Sequence, residues 1–323
     1  MSRRFAAAFV LTALVAAAAA CGTTGGNTPA PPAPGQPDKV VVGVIPIVDV
    51  APIYLGKQMG FFSKRNIELD LQLAQGGAAI VPAVVSGQYQ FGFSNVVSLL
   101  LAQSRNVPVK VVASGNTSTG DKNKDFGGIV VKKDSTIQGP ADLVGKKVSA
   151  NTLSNIVDTS VREVVRKAGA DASKVTFVEM PFPEMPAALQ QGRVDAIFVV
   201  EPFLSAAVAG GGRIISTYAD VDPNLVVALY FTSADMMQKN PDLVRRFTEA
   251  IKESLTYASS HEKEARDILA TYTQITPEAR AALTLPKWPA DINRAGIEKL
   301  AALVVNDGLL KTQPDLNALL PSS

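Results

Sequence analysis

Histidine, cysteine and tryptophan each occur once in the 323 residues, and aromatic residues make up only 6% of them. One histidine (His261, in a charged segment) and one cysteine (Cys21) leave no cluster with the ligand count of a zinc site. A single cysteine also excludes an internal disulfide. No run of basic residues suits nucleic acid, and 31 lysines and arginines stand against 29 acids. There is no G-x-S-x-G elbow and no G-x-x-x-x-G-K-[ST] phosphate loop, and Gly76-Gly77 is too short for a dinucleotide fingerprint. No metal, no cofactor and no catalytic residue is therefore expected.

What is present begins with a leader. Arg3 and Arg4 precede an uncharged apolar run from Phe5 to Ala20, the pattern of a secretory signal. The run is short for a membrane span, which takes about 20 apolar residues. Cys21 follows Ala18-Ala19-Ala20 and resembles a bacterial lipobox cysteine, although Ala18 stands where leucine is usual. Residues 22–38 are rich in Gly, Thr and Pro and offer no apolar face to bury. Residues 1–20 are accordingly expected as a signal peptide, and residues 21–38 as a lipidated cysteine with a disordered tether. Loss of residues 1–20 removes Arg3 and Arg4, leaving 29 basic against 29 acidic residues, so charge does not place the protein on a surface. Two or more acyl chains hold stably where one does not.

The chain beyond the tether alternates strand, turn and helix. Lys39–Ile45 is valine-rich and suits a strand buried on both faces. Ala51–Met59 is helical in pattern and Gly60 ends it. In 67–73, Ile67, Leu69, Leu71 and Leu73 alternate with Glu68, Asp70 and Gln72, the period of a strand. Gly76-Gly77 opens a helix running to Ser86-Gly87, residues 89–93 form a short strand, and Ser94 or Asn95 caps the helix Val96–Ala102. Further strands are expected at 108–115, from Gly127, at 147–151, 174–178, 194–200 and 224–233, and the chain turns helical from Pro241. Such alternation builds parallel sheets covered by helices, and ligands sit beyond the carboxyl ends of their strands.

Several stretches carry a closer likeness. Tyr54-Leu55-Gly56-Lys57, Gly60-Phe61-Phe62, Gly76-Gly77, Ser86-Gly87 and Phe91-Gly92-Phe93 come in that order. Leu143, Gly145-Lys146, Val148, Asn151, Pro181, Met185, Ala188-Leu189, Gly192, Asp195-Ala196 and Glu201-Pro202 follow. Across roughly 39–260 the chain resembles the solute-binding proteins of ABC importers, in the branch taking nitrate, sulfonates, taurine and thiamine-pyrimidine precursors. The resemblance implies a two-lobed clamshell of the type II periplasmic-binding-protein fold, α/β, each lobe a mainly parallel sheet flanked by helices, with two hinge crossings. Lobe 1 is expected from 39–115 plus about 228–323, and lobe 2 from about 116–227. It also implies a small-molecule solute delivered to a permease and ATPase by hinge closure. The chain is then a monomer anchored through Cys21 at the outer face of the cytoplasmic membrane. A sensor lipoprotein with the same clamshell stays open as an alternative. Thiamine-pyrimidine synthases also resemble this family, but they use an active-site lysine, a histidine and a cysteine-rich segment; this chain lacks those cysteines and its one histidine is His261, so it is not expected to be an enzyme.

The expected ligand-binding residues sit just after strands or at helix starts. They are Asp49, Pro52 and Tyr54; Gly76 and Gly77; Ser94 and Asn95; Asn151, Thr152, Leu153 and Ser154; and Glu201 and Phe203. Tyr54 and Phe203 suit an aromatic or apolar body. A cleft-facing Glu201 with Asp49 nearby repels a bare anion and favours a solute bearing an amine.

Overall fold

The computed structural model describes residues 36–321. The expected signal peptide, Cys21 and nearly all of the tether lie outside the described residues. Ten strands are described, β1 (Asp38–Val44), β2 (Ile67–Leu73), β3 (Phe91–Asn95), β4 (Val109–Thr117), β5 (Gly127–Lys132), β6 (Lys147–Ala150), β7 (Thr176–Glu179), β8 (Ala196–Val200), β9 (Gly212–Thr217) and β10 (Val226–Ser233). They form two five-stranded sheets, in the orders β2-β1-β3-β10-β4 and β7-β6-β8-β5-β9.

The two sheets share one plan. In the first, β1 is parallel to β2 and β3, while β10 runs antiparallel to β3 and β4. In the second, β6 is parallel to β7 and β8, while β5 runs antiparallel to β8 and β9. Four strands of each sheet thus point one way and one opposes them. The opposing strand is in each case the one that follows a crossing: the chain passes to the second sheet through 118–126 and returns through 222–225.

Burial follows the side-chain pattern. β1 is central, and Val40, Val42 and Val44 are buried. β2 is an edge strand, burying Ile67 and Leu69 and exposing Glu68 and Asp70. β10 carries no polar alternation because it is buried along its whole length. β9 was not anticipated. It is a half-buried edge strand after three glycines, without the periodicity that marks the others.

Helices α1 (Ala51–Gln58), α2 (Gly77–Val85) and α3 (Val96–Ser104) belong to the first sheet. Helices α4 (Ile156–Lys167), α5 (Met185–Gln190), α6 (Phe203–Ala209) and α7 (Tyr218–Val221) belong to the second. The remainder includes α8 (Ala234–Lys239), α9 (Pro241–Ser260), α10 (Glu262–Asp267), α11 (Pro277–Ala282) and α12 (Arg294–Asn306). Of the two possible caps of α3, Asn95 is the one used: its Oδ1 accepts from Ser98 N at 3.0 Å. Helix α9 buries Val244, Phe247, Ile251, Leu255 and Ala258, a single helical face, against α1 and β4. Phe247 stacks on Phe91 with centroids 3.7 Å apart. Gly56 lets α1 approach α9 this closely, since a Cβ there would lie 1.8 Å from Ser254 Oγ. Helix α12 packs on α3 and β10 and also touches α4. No helix among the described residues is long and apolar enough to cross a membrane.

Candidate functional site

The loops that leave the carboxyl ends of strands in both sheets meet one another. Asn151, after β6, donates its Nδ2 to the carbonyl of Gln75, after β2, at 3.1 Å. Val48 N donates to the Glu201 carbonyl, after β8, at 3.0 Å. Between these loops lies an inner cavity of ≈ 30 Å³, lined from the first sheet by Ile47, Asp49, Phe93 and Asn95. Asn151, Val157, Phe182, Val200 and Tyr218 line it from the second. That volume holds about two waters.

Asp49 is the polar centre of this cavity. It is 2% exposed, and its Oδ1 accepts from Asn116 Nδ2 at 2.9 Å. Its Oδ2 is buried without a partner. Burial pushes the carboxyl up to about 7; the Asn116 hydrogen bond opposes the shift and the Asp125 charge adds to it. The loop carrying Asp49 is held by Trp288, whose Nε1 donates to the Asp49 carbonyl at 3.1 Å. Trp288 is placed in turn by the Thr117–Lys287 bridge and by Ser259 Oγ on its own carbonyl at 3.0 Å.

Asn95 and Asn151, two more polar side chains that face the cavity, are already engaged, and Tyr218 lines it as well. Asn95 caps α3 and donates to Ser98 Oγ at 2.9 Å. Asn151 donates to Gln75 and accepts from Asn155 Nδ2 at 2.8 Å. Asp49 Oδ2 is a buried acceptor without a partner, and as a carboxylate it calls for an N–H or O–H donor. No lysine, arginine or histidine lines the cavity, so a bare anion finds no counter-charge there.

A larger cavity of ≈ 320 Å³ lies beside it, sharing Ile45, Ile47 and Phe182 as a common wall. Pro46, Leu73, Ala74 and Gln75 complete it from the first sheet and Pro181, Pro183 and Phe203 from the second. Among the described residues no group of three histidine, cysteine, aspartate or glutamate side chains is placed to hold a metal.

The residues singled out in the sequence separate on this geometry. Asp49, Asn95 and Asn151 line the inner cavity and Phe203 the outer one. Gly76 lies against Asn151 and Thr152, where the two sheets' loops touch. Ser94 is buried behind Asn95, and Thr152 Oγ1 accepts from Asn155 Nδ2 at 2.9 Å. Pro52, Leu153 and Ser154 line neither cavity: Pro52 sits in the first turn of α1, Leu153 is 46% exposed, and Ser154 N donates to Asp158.

Tyr54 and Glu201 lie apart from both cavities. Tyr54 lines neither of them and stacks on Tyr272 at 3.9 Å, 14° from parallel. Glu201 does not present its carboxylate to the cleft. Its Oε2 accepts from Ser205 N at 3.1 Å, and its Oε1 from Ser205 Oγ at 2.8 Å and Thr284 N at 3.2 Å. Glu201 braces α6 and the segment before Trp288, while burial pushes its carboxyl above the ordinary range. Asn116, Phe182, Tyr218 and Trp288 were not singled out. For Phe182 the signal was present in the Pro-Phe-Pro run that follows a strand.

Gly77 has a structural role, because α2 starts against the end of β3. A Cβ at Gly77 would lie 1.9 Å from Ser94 Oγ and 2.7 Å from its Cα, which cannot move without β3. Gly77→Ala is expected to destabilise the fold by about 2 kcal/mol or more, the scale of overpacking a tight core. Urea denaturation would read this, and an unchanged midpoint would refute it.

The fold and site can be set beside known proteins. The taurine-binding periplasmic protein of Escherichia coli (strain K12) is 27% identical over 194 residues, 59% of this chain and 57% of that protein. The formylaminopyrimidine-binding protein of Halalkalibacterium halodurans is 22% identical over 225 residues, 68% of this chain and 65% of that protein. The chain thus spans less than two thirds of the length of these relatives. The periplasmic aliphatic sulphonate binding protein SsuA from Escherichia coli superposes with a TM-score of 0.71 at 19% identity, over 89% of this chain and 93% of that one. That likeness establishes the two-lobed fold. The model of the family described as NMT1/THI5 like matches residues 47–265, from the loop that carries Asp49 into α10. By that match, over more than half its length, the chain belongs to the NMT1/THI5-like family.

Proposed function

We propose that this chain is the extracytoplasmic solute-binding component of an ABC importer, taking a small polar organic solute that offers an N–H donor. The lobes are 39–115 with about 228–323, and about 116–227. They close around the solute and present it to a permease and ATPase, the chain acting as a monomer held at the membrane by lipid on Cys21. One observation carries the reading: Asp49 Oδ2 is buried and unpartnered in a cavity walled by both sheets. A group so placed costs stability unless a partner arrives, and a partner there must touch both halves. Family membership and the taurine-binding relative support the transport role.

Within the expected range of cargoes, the acid and the missing cation favour amino-sulfonates and aminopyrimidines over nitrate. A thermal-shift panel of taurine, alkanesulfonates, nitrate, aminopyrimidines and amino acids tests this. A solute at 100 times its dissociation constant adds about 2.7 kcal/mol to stability. Amine-bearing solutes are expected to raise the melting temperature and nitrate to leave it unchanged. A shift with nitrate alone would overturn the Asp49 role, and no shift with any solute would count against the transport reading.

A further inference from the structure

The outer cavity differs from the inner one in chemistry. Apart from Gln75, its lining side chains are apolar, and no charged residue is among them. Asn151 takes the Gln75 backbone carbonyl, and the Gln75 side-chain amide is the single polar side chain in this lining. Two walls are aromatic: the rings of Phe182 and Phe203 lie nearly parallel, 14° apart, with centroids 6.1 Å from each other. Prolines 46, 181 and 183 add rigid apolar faces, and Leu73, 56% exposed, stands at the rim.

A polar solute would be stripped of water against such walls with only the Gln75 amide to replace its hydrogen bonds. Size points the same way. A cavity of about 150 Å³ accommodates benzene, so one of ≈ 320 Å³ has room for a body of about two rings. A body seated there touches Leu73 and Pro46 of the first sheet and Phe182 and Phe203 of the second, so it binds only when the two are together. The walls shared at Ile45, Ile47 and Phe182 put both cavities within reach of one molecule.

We propose that the solute is amphipathic, with an amine-bearing head that reaches Asp49 and an apolar, ring-sized body seated in the outer cavity. This inference rests on the solute-binding reading and narrows its cargo to amines with an aryl or branched aliphatic substituent.

The test is calorimetric titration of the full chain with propylamine, phenethylamine and taurine. Phenethylamine is expected to bind at least about tenfold tighter than propylamine, the discrimination an apolar pocket gives for a few added carbons. Ala74→Phe, which fills the outer cavity, and Phe203→Ala, which removes one wall, are each expected to cut that ratio to about threefold or less. Circular dichroism confirms that each variant is folded. Equal affinity of the two amines, or a preference that neither folded variant reduces, overturns the apolar-body inference and leaves the solute-binding reading standing. Binding of taurine without phenethylamine does the same. Failure of all three ligands overturns the inference as well, and the transport reading is then judged by the wider panel, which includes solutes with no apolar body.

Discussion

Replacing Asp49 with asparagine is expected to stabilise the folded chain at about pH 8, by on the order of 4 kcal/mol, and to remove this group's share of the pH dependence between about pH 4 and 7. The cause is the buried carboxyl, whose pKa rises from 3.8 to about 7 on folding. Between those values the folded chain holds a proton that the unfolded chain has released. The stability due to this group is therefore complete below about pH 4 and lost as pH rises through about 7. Three units at about 1.4 kcal/mol each give the size of the effect. Asparagine keeps the acceptor that Asn116 uses but never ionises. Asp158, pushed up to about 6 by burial, bends the curve the same way, as do Glu201 and Asp307, and together they leave a slope in the variant. The same substitution costs function. An amine solute loses a charge-assisted bond and should bind about tenfold or more weakly. In the unaltered chain amine affinity should climb with pH up to about 7, as Asp49 ionises, and then level off. Urea melts across pH read the first effect and calorimetry the second. A variant no more stable than its parent at about pH 8 would remove Asp49 as the source of the curve.

The second large effect concerns the pair that ties α4 to α12. Arg166 Nη1 meets Asp307 Oδ1 at 2.6 Å, and the Asp307 side chain is fully buried. Arg166 also holds Glu163 at 3.1 Å. Arg166→Met leaves Asp307 buried without its counter-charge and is expected to cost about 3–5 kcal/mol. Burial already pushes the Asp307 carboxyl up against the pull of Arg166, and Asp158 close by adds a second acid. The double variant Arg166→Met with Asp307→Leu should recover most of the loss, because an apolar pair of similar volume needs no desolvation. Since α4 flanks the second sheet and α12 packs on the first, the single variant should also loosen the two halves. Small-angle scattering would show a larger radius of gyration for Arg166→Met than for the double variant. Loss of stability in the double variant equal to that in the single would show that burial of Asp307, not its pairing, was misjudged.

The reach of the sequence is clearest in its periodic stretches. The alternation of 67–73, the valines of β1, the apolar run of β8 and the capping Asn95 are local signals, and the folded chain keeps them. Their positions also located the loops that meet at the cavities, because strand ends can be read from pattern and ligands gather beyond them. Asp49, Asn95, Asn151 and Phe203 were reached in this way. β9 escaped notice because an edge strand needs no buried alternation to pair.

What a residue does once it arrives depends on partners far along the chain. Glu201 and Asp49 look alike in the sequence, two acids just after buried strands. Thr284, 83 residues away, and Ser205 occupy Glu201, whereas Asn116, 67 residues away, satisfies only one oxygen of Asp49. Tyr54 could have faced a solute, but Tyr272 covers it. The alternating sheet-and-helix plan and the set of loops at the cleft could be read from the sequence, since these rest on local periodicity and spacing; the family followed from the likeness of its motifs and the family-model match. Which of the two acids keeps an unpartnered oxygen emerges on folding, because a hydrogen-bond partner is fixed by distance in space and not by distance along the chain.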